Sequence, residues 1–243
     1  MNIIEIADLR FTWPDGTAAL CGVSLQVREG ATLGIIGRNG AGKSTLLLHL
    51  NGILSGSRAV RFRGLPVEDH SAALLRAAVG LVFEDPADQL FMPTVLDDVA
   101  FGPLNLGLSA AEAEARAHAA LAQVQAADLA DRPPHHLSAG QKRRVALATV
   151  LVMEPEVLVL DEPVAGLDPE GREAVIALLA GLPQTKIIAT HDLELVAELC
   201  TEVAVLDAGV IHAQGPARAL LADEALMRAH GLRVPLSLRL SGD

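Results

Sequence analysis

Residues Gly37 to Ser44 read GRNGAGKS, a glycine-rich stretch that ends in Lys-Ser. The spacing G-x-x-x-x-G-K-[ST] is that of a loop whose backbone N–H groups face phosphate oxygens at the start of a helix. Glycine is needed because the chain must turn tightly and approach the phosphates closely. An apolar run, ATLGIIG, precedes the loop and a helical pattern, LLLHLNGIL, follows it, as such a loop requires. Gly37, Asn39, Gly40, Ala41, Gly42, Lys43, Ser44 and Thr45 are therefore expected to hold a nucleotide. Lys43 would neutralise the β and γ phosphates, and the Ser44 hydroxyl would ligate Mg²⁺.

Phosphoryl transfer also needs a carboxylate beside the metal. VLVLDEP places Asp161 where a hydrophobic run ends, at the carboxyl edge of an expected parallel strand, with Glu162 next in line. Asp161 is assigned to the metal, and Glu162 to orienting or deprotonating an attacking water. The plain alternative for the pair is a helix-capping turn. His191 follows the run IIAT and emerges at the same sheet edge. It has two readings: contact with the γ-phosphate or the water, or a structural cap. A second anion-friendly stretch, HLSAGQKRRVALA, begins at His136. Ser138 and Gln141 stand at capping-box spacing, which alone would account for them. Lys142, Arg143 and Arg144 read as solvated helix charge. His135 and His136, adjacent on one loop without a third donor, read as ordinary loop histidines.

The elements that position these groups alternate. IIEIADLRF and ALCGVSLQV have strand-like alternation and suggest an antiparallel opening before the buried run at ATLGIIG. AVRFRG and VGLVF are strand-like. TVLDDVAF through SAAEAEARAHAALAQVQAADL is rich in Ala, Glu and Leu and predicts helices, a helical insertion over about residues 86–152. Then come a helix at GQKRRVALATVLVM, a strand at VLVLDE, a helix near PEGREAVIALLAGL, a strand at KIIAT and a short helix near LELVAELC. This order predicts an α/β fold with a parallel sheet covered by helices. VAVL and VIHA, joined by DAG, predict a closing hairpin, and a short helical tail that then loosens is expected over about residues 216–243.

Bulk properties narrow the function classes. The 243 residues fit one domain with an insertion, and although 51% are hydrophobic, no run reaches the ~18 apolar positions of a membrane span. Glu5 and Asp8 sit where a secretory signal would carry positive charge, so a cytosolic start is expected. A net charge of −11 argues against a general nucleic-acid surface. Cys21 and Cys200 lack C-x-x-C partners and are expected to be buried small hydrophobes.

GRNGAGKST, LSAGQ, VLVLDEP, AGLD and the later His191 occur in the order found in ABC-type ATPases, and the resemblance spans nearly the whole chain. It implies a P-loop NTPase fold with a RecA-like core, an antiparallel β subdomain and a helical subdomain, binding ATP and Mg²⁺. It further implies a second ABC ATPase protomer, identical or related, facing the first head to tail. Each ATP would then lie between one subunit's Lys43 loop and the other's Ser138, Gly140 and Gln141. Asp168 in AGLD would communicate across that interface, and Trp13 resembles the aromatic that stacks on adenine, with a core tryptophan as the competing reading. Glu84 stands where the family usually has Gln and is kept as a metal ligand, since a carboxylate serves a hard cation. Ala139 replaces a glycine, tolerable if its φ is negative, and Val164 replaces a frequent hydroxyl residue.

VGLVFEDPADQLFMPTVLDDVAFGPLNLGLS and SAGQKRRVALATVLVMEPEVLVLDEPVAGLDP resemble, more narrowly, ATPase subunits of energy-coupling-factor transporters of the cobalt or nickel group. That resemblance implies an ATP hydrolase held peripherally on the cytoplasmic face of the membrane. An integral membrane scaffold and a substrate-binding membrane protein are its expected partners, nucleic acid is not, and this chain is not expected to touch the transported ion. A vitamin importer ATPase, or a soluble ABC protein acting on nucleic acid or ribosomes, is the alternative. For the latter, the long coiled-coil insertion or basic surface is lacking.

Overall fold

The computed structural model describes residues 1–54, 59–67 and 72–239. Two long antiparallel strands open the chain, β1 (Asn2–Thr12) and β2 (Ala18–Arg28). In β1 Ile3, Ile4, Ile6 and Leu9 are buried and Phe11 is half-buried, and the step of three between Ile6 and Leu9 breaks strict alternation. A bulge absorbs the extra residue: Ile6 pairs with Leu25 and Leu9 with Val23, while Asp8 takes a left-handed φ of 50°. The irregularity returns Leu9 and Phe11 to the core face and sets the strand end that carries Trp13. Two short strands, β4 (Val60–Phe62) and β5 (Leu65–Pro66), complete this sheet in the order β2-β1-β4-β5.

The second sheet holds β3 (Thr32–Ile36), β6 (Val79–Val82), β7 (Val157–Asp161), β8 (Thr185–Thr190), β9 (Glu202–Asp207) and β10 (Val210–Pro216). Its order is β10-β9-β3-β8-β7-β6, parallel except for the antiparallel edge strand β10. β3, β6, β7 and β8 are buried along their whole length, which is why they read as unbroken apolar runs. Register decides where the chemistry goes: Ile36 is level with Thr190, and Asp161 with Ala189. The loops that follow β3, β7 and β8 therefore leave from one edge, the crevice side of an open α/β sheet.

After β3 the glycine loop feeds α1 (Lys43–Leu50), and α2 (Ala72–Ala78) precedes β6. α3 (Val95–Asn105), α4 (Ala110–Gln123) and α5 (Ala139–Leu151) pack together through Val95, Val99, Ala113, Ala117, Leu121 and Val145. On α4 the buried residues are Ala113, Ala117, Ala120 and Leu121, one helical stripe whose small side chains let the neighbouring helices come close. α6 (Pro169–Gly181) and α7 (Leu193–Leu199) link the later strands. The chain then runs through α8 (Ala217–Ala222), α9 (Glu224–Ala229) and α10 (Leu236–Arg239).

Several expectations need amendment. β5 and α2 were not anticipated. The tail does not loosen within its described part: Leu221, Met227, Leu232, Val234 and Leu238 pack against Ile36, Val196 and Val205, and residues 240–243 lie outside the described residues. The cysteines are half-buried rather than fully so. Burial nonetheless pushes the Cys200 thiol up to about 12, so it is inert as a nucleophile. Arg143 is not solvated helix charge but is buried, 5% exposed.

Candidate nucleotide site

The loop from Gly37 to Ser44 is clamped from behind by the closing hairpin. Gly209, in the turn between β9 and β10, donates to the Ala41 carbonyl at 3.1 Å and accepts from the Cys21 amide at 2.8 Å. Gly37 lies so close to this hairpin that a Cβ there would sit 2.1 Å from the Leu206 carbonyl oxygen. Gly42 caps α1 with a φ of 104°, and a Cβ on it would meet the Ala19 carbonyl oxygen at 2.5 Å. Both positions thus require glycine for space, and Gly42 also for conformation. Lys43 is buried and its Nζ donates to the carbonyls of Gly37 and Arg38 at 3.0 and 3.3 Å, bent back over its own loop.

In front of the loop lies a cleft of about 450 Å³ lined by Trp13, Asn39, Gly40, Gly42, Lys43, Ser44, Thr45, Glu84, Asp161, Glu162 and His191. Gly37 and Ala41 belong to the loop but not to its lining. Trp13 is half-buried at the cleft wall, so it is not a core residue. Its ring stands edge-on to Phe11 at 5.0 Å, and Phe11 packs in turn on His49 at 4.8 Å. Burial raises the Asp161 carboxyl above the usual range. A hydrogen bond with Ser44 opposes the shift, Glu84 and Glu162 add to it by repulsion, and Lys43 counters them. Ser44, Asp161 and Glu84 offer only oxygen, a donor set suited to a hard cation.

Glu162 is 6% exposed and holds a left-handed φ of 44°, a conformation that costs energy for a non-glycine residue. Both carboxylate oxygens have partners: Oε2 accepts from Thr190 Oγ1 at 2.8 Å, and Oε1 accepts from the His191 amide at 3.0 Å and lies 2.7 Å from His191 Nδ1. The His191 ring itself is mostly exposed at the cleft mouth. Thr190 was missed in the sequence, although a hydroxyl closing an apolar strand one residue before a histidine was a usable signal.

Arg143 was misread. From α5 it donates to the Phe83 carbonyl at 3.0 Å, directly before Glu84, and it faces Glu84, Asp85, Asp161 and Glu162. Burial lowers its pKa and these acids offset the effect. Its membership of the buried stripe with Leu147, Val150 and Leu151 was the signal in the sequence. Gln89 reinforces the same junction, accepting from the Phe83 amide and donating to the Ala146 carbonyl and Thr149.

Ser138, Gly140 and Gln141 are not brought to Lys43. They line a separate hollow of about 560 Å³ with Ala139, Gly166, Asp168 and Gly171, and no residue of that lining belongs to the first cleft. The capping box is real: Ser138 Oγ accepts from the Gln141 amide at 3.3 Å and Gln141 Oε1 accepts from the Ser138 amide at 2.9 Å. The Ser138 hydroxyl still has its own hydrogen to donate. Ala139 opens α5 without a positive φ, so its methyl group is unstrained. Val164 is packed in the apolar core beside α5 and α6, a place that favours an aliphatic side chain. Asp168 caps α6 through the Gly171 amide at 2.8 Å.

Residues 20–165 match the sequence model of the ABC transporter family. The chain belongs to the ABC transporter family. This ABC ATPase is 50% identical to the cobalt import ATP-binding protein CbiO of Rhodobacter capsulatus, over 98% of this chain and 88% of that one. It is 48% identical to the energy-coupling factor transporter ATP-binding protein EcfA of Carboxydothermus hydrogenoformans, over 100% of this chain and 92% of that one. Among solved structures it superimposes on CbiO1 of Clostridium perfringens, part of the ABC transporter complex CbiONQ. The TM-score is 0.82 and the identity 40%, covering 100% of this chain and 99% of that chain. It also superimposes on a dimeric ATP-binding cassette in a post-hydrolysis state with ADP and Pi, at a TM-score of 0.78 and 25% identity, covering 88% and 98%. As an ABC ATPase the chain binds and hydrolyses ATP.

Proposed function

We propose that this ATPase is the energy-supplying subunit of an energy-coupling-factor importer, held peripherally on the cytoplasmic face of the membrane and driving uptake of a transition-metal ion, cobalt or nickel. The observation that carries the reading is the separation of its two phosphate-ready loops. Lys43 and Ser138 line different hollows, an arrangement that suits a triphosphate held by the Lys43 loop of one protomer and the Ser138 loop of a second. ATP would hold the pair together, and hydrolysis would release them.

Within each protomer, Gly37, Asn39, Gly40, Ala41, Gly42, Lys43 and Thr45 cradle the phosphates and Trp13 stacks on adenine. Mg²⁺ suits the all-oxygen set of Ser44, Asp161 and Glu84, where it would neutralise phosphate charge. Glu162, steered by Thr190 and His191, orients the attacking water. Ser138, Gly140 and Gln141 grip the γ-phosphate of the partner's nucleotide, with Asp168 alongside.

No described helix is long and apolar enough to cross a membrane, so the importer reading calls for separate membrane partners. A docking face is exposed on the helical part: Phe91, Phe101, Leu104 and Leu106 stand in solvent, the two rings 5.2 Å apart. The buried Asp98 carboxylate on α3 fixes the Phe91 end of this face, accepting from the Phe91 and Met92 amides at 3.0 and 2.9 Å. The test is co-expression with the membrane scaffold and substrate-binding protein, followed by uptake of radioactive cobalt and nickel. Uptake should require all three components and vanish with Lys43→Ala. Turnover stimulated by nucleic acid, with no capture of a membrane scaffold, would overturn the reading.

A further inference from the structure

A second cluster of chemistry-bearing side chains lies on the far side of the glycine loop. Asp207 ends β9, His212 lies on β10 and His230 caps the carboxyl end of α9. Their donor atoms all lie within 4.8 Å of one another, with His230 Nδ1 3.1 Å from Asp207 Oδ2. The two imidazole rings face each other at 4.3 Å with a 36° tilt.

Each residue is aimed by its own local device. The β9–β10 register skips from Ile211 opposite Leu206 to Ala213 opposite Val205, so His212 is the extra residue of a bulge, a feature that redirects a side chain. Asp207 precedes a tight turn in which Ala208 and Gly209 both have positive φ. His230 is followed by Gly231 at a φ of 67°, whose missing side chain makes room for the stem of Arg38 from the glycine loop. An Asp207–His230 hydrogen bond alone would need neither the bulge nor the second imidazole.

We propose that Asp207, His212 and His230 bind one divalent first-row transition-metal ion, which clasps the tail to the hairpin behind the glycine loop. Two imidazoles and a carboxylate are a donor set for zinc, cobalt or nickel. Donors at about 2.0–2.2 Å from such an ion stand roughly 3.3 Å apart in a tetrahedral site. The 3.1 Å pair already meets that spacing, and His212, exposed on an edge strand, has room to close the rest. The site is independent of what the importer carries.

The untagged full-length chain should be titrated with Co²⁺ alone. Visible absorption should show one equivalent bound, displaced by Zn²⁺, and hydrogen exchange over residues 224–232 should slow on binding. His212→Gln and Asp207→Asn should each weaken binding by at least about tenfold, the scale seen when metal sites lose a supporting group. The double variant His135→Ala/His136→Ala should bind as the wild type does. No binding by the wild type, equal binding by His212→Gln, or loss in the loop double variant would overturn the site. Binding without slower exchange in the tail would overturn the clasp.

Discussion

Glu162 directly follows β7, and its contacts with Thr190 Oγ1, the His191 amide and the His191 ring hold a strained backbone and a buried side chain in place. Glu162→Gln should slow phosphate release by about 10²- to 10⁴-fold, the usual cost of losing a general base, while ATP still binds. Size-exclusion chromatography with ATP should then show an accumulated dimer, and turnover at the wild-type rate would refute the role. Asp161 gives a prediction about pH. Its folded carboxyl titrates above the usual value, so the folded state binds the proton more tightly than the unfolded chain does. Stability therefore falls as pH rises from the usual carboxylate value through the raised one, and the ionised group is a liability at neutral pH. Asp161→Asn should raise the Tm of the nucleotide-free protein at pH 7, with the gain fading towards pH 4, and should abolish hydrolysis. A lower Tm at pH 7 would mean that Ser44 and Lys43 already compensate the burial. The acidic pair was legible from its place after VLVL, whereas the engagement of Glu162 by Thr190 depends on the register of β7 and β8, which no linear pattern states.

At the scale of elements, α5 carries two functions within its first two turns. Ser138 caps it, and Arg143 fastens it to the strand-end segment at Phe83 and Glu84. Two substitutions separate capping from phosphate binding. Ser138→Ala should cost about 0.5–2 kcal/mol by loss of the cap, read as a lower midpoint in urea. Ser138→Asp keeps a good cap, and so a near-normal midpoint, but sets a negative charge against the partner's γ-phosphate and should prevent ATP-driven dimerisation. If the Asp variant still dimerises with ATP, Ser138 is a cap and nothing more. The alternation of strands and helices was readable because continuous apolar runs and helical stripes are strong local signals. β5 and α2 escaped because elements this short carry less than two periods of either pattern. Arg143 escaped because three consecutive basic residues look solvated when the direction of the helix face is unknown.

For the whole molecule, the sole tryptophan lies on the cleft wall, so nucleotide binding can be followed without a label. ATP should change Trp13 emission in the wild type and in Glu162→Gln, and an unchanged spectrum at saturating ATP would remove adenine stacking. The need for a second protomer was legible only through resemblance, since no spacing reveals that two loops of one chain point into different hollows. The exposed apolar patch at Phe91 and Phe101 has a further consequence, felt at the ribosome rather than in the transport cycle. Contiguous apolar surface of this kind invites self-association when nothing covers it. A cell making more copies than it has seats for them accumulates an adhesive surplus, so synthesis of this subunit has to keep pace with whatever shields those rings.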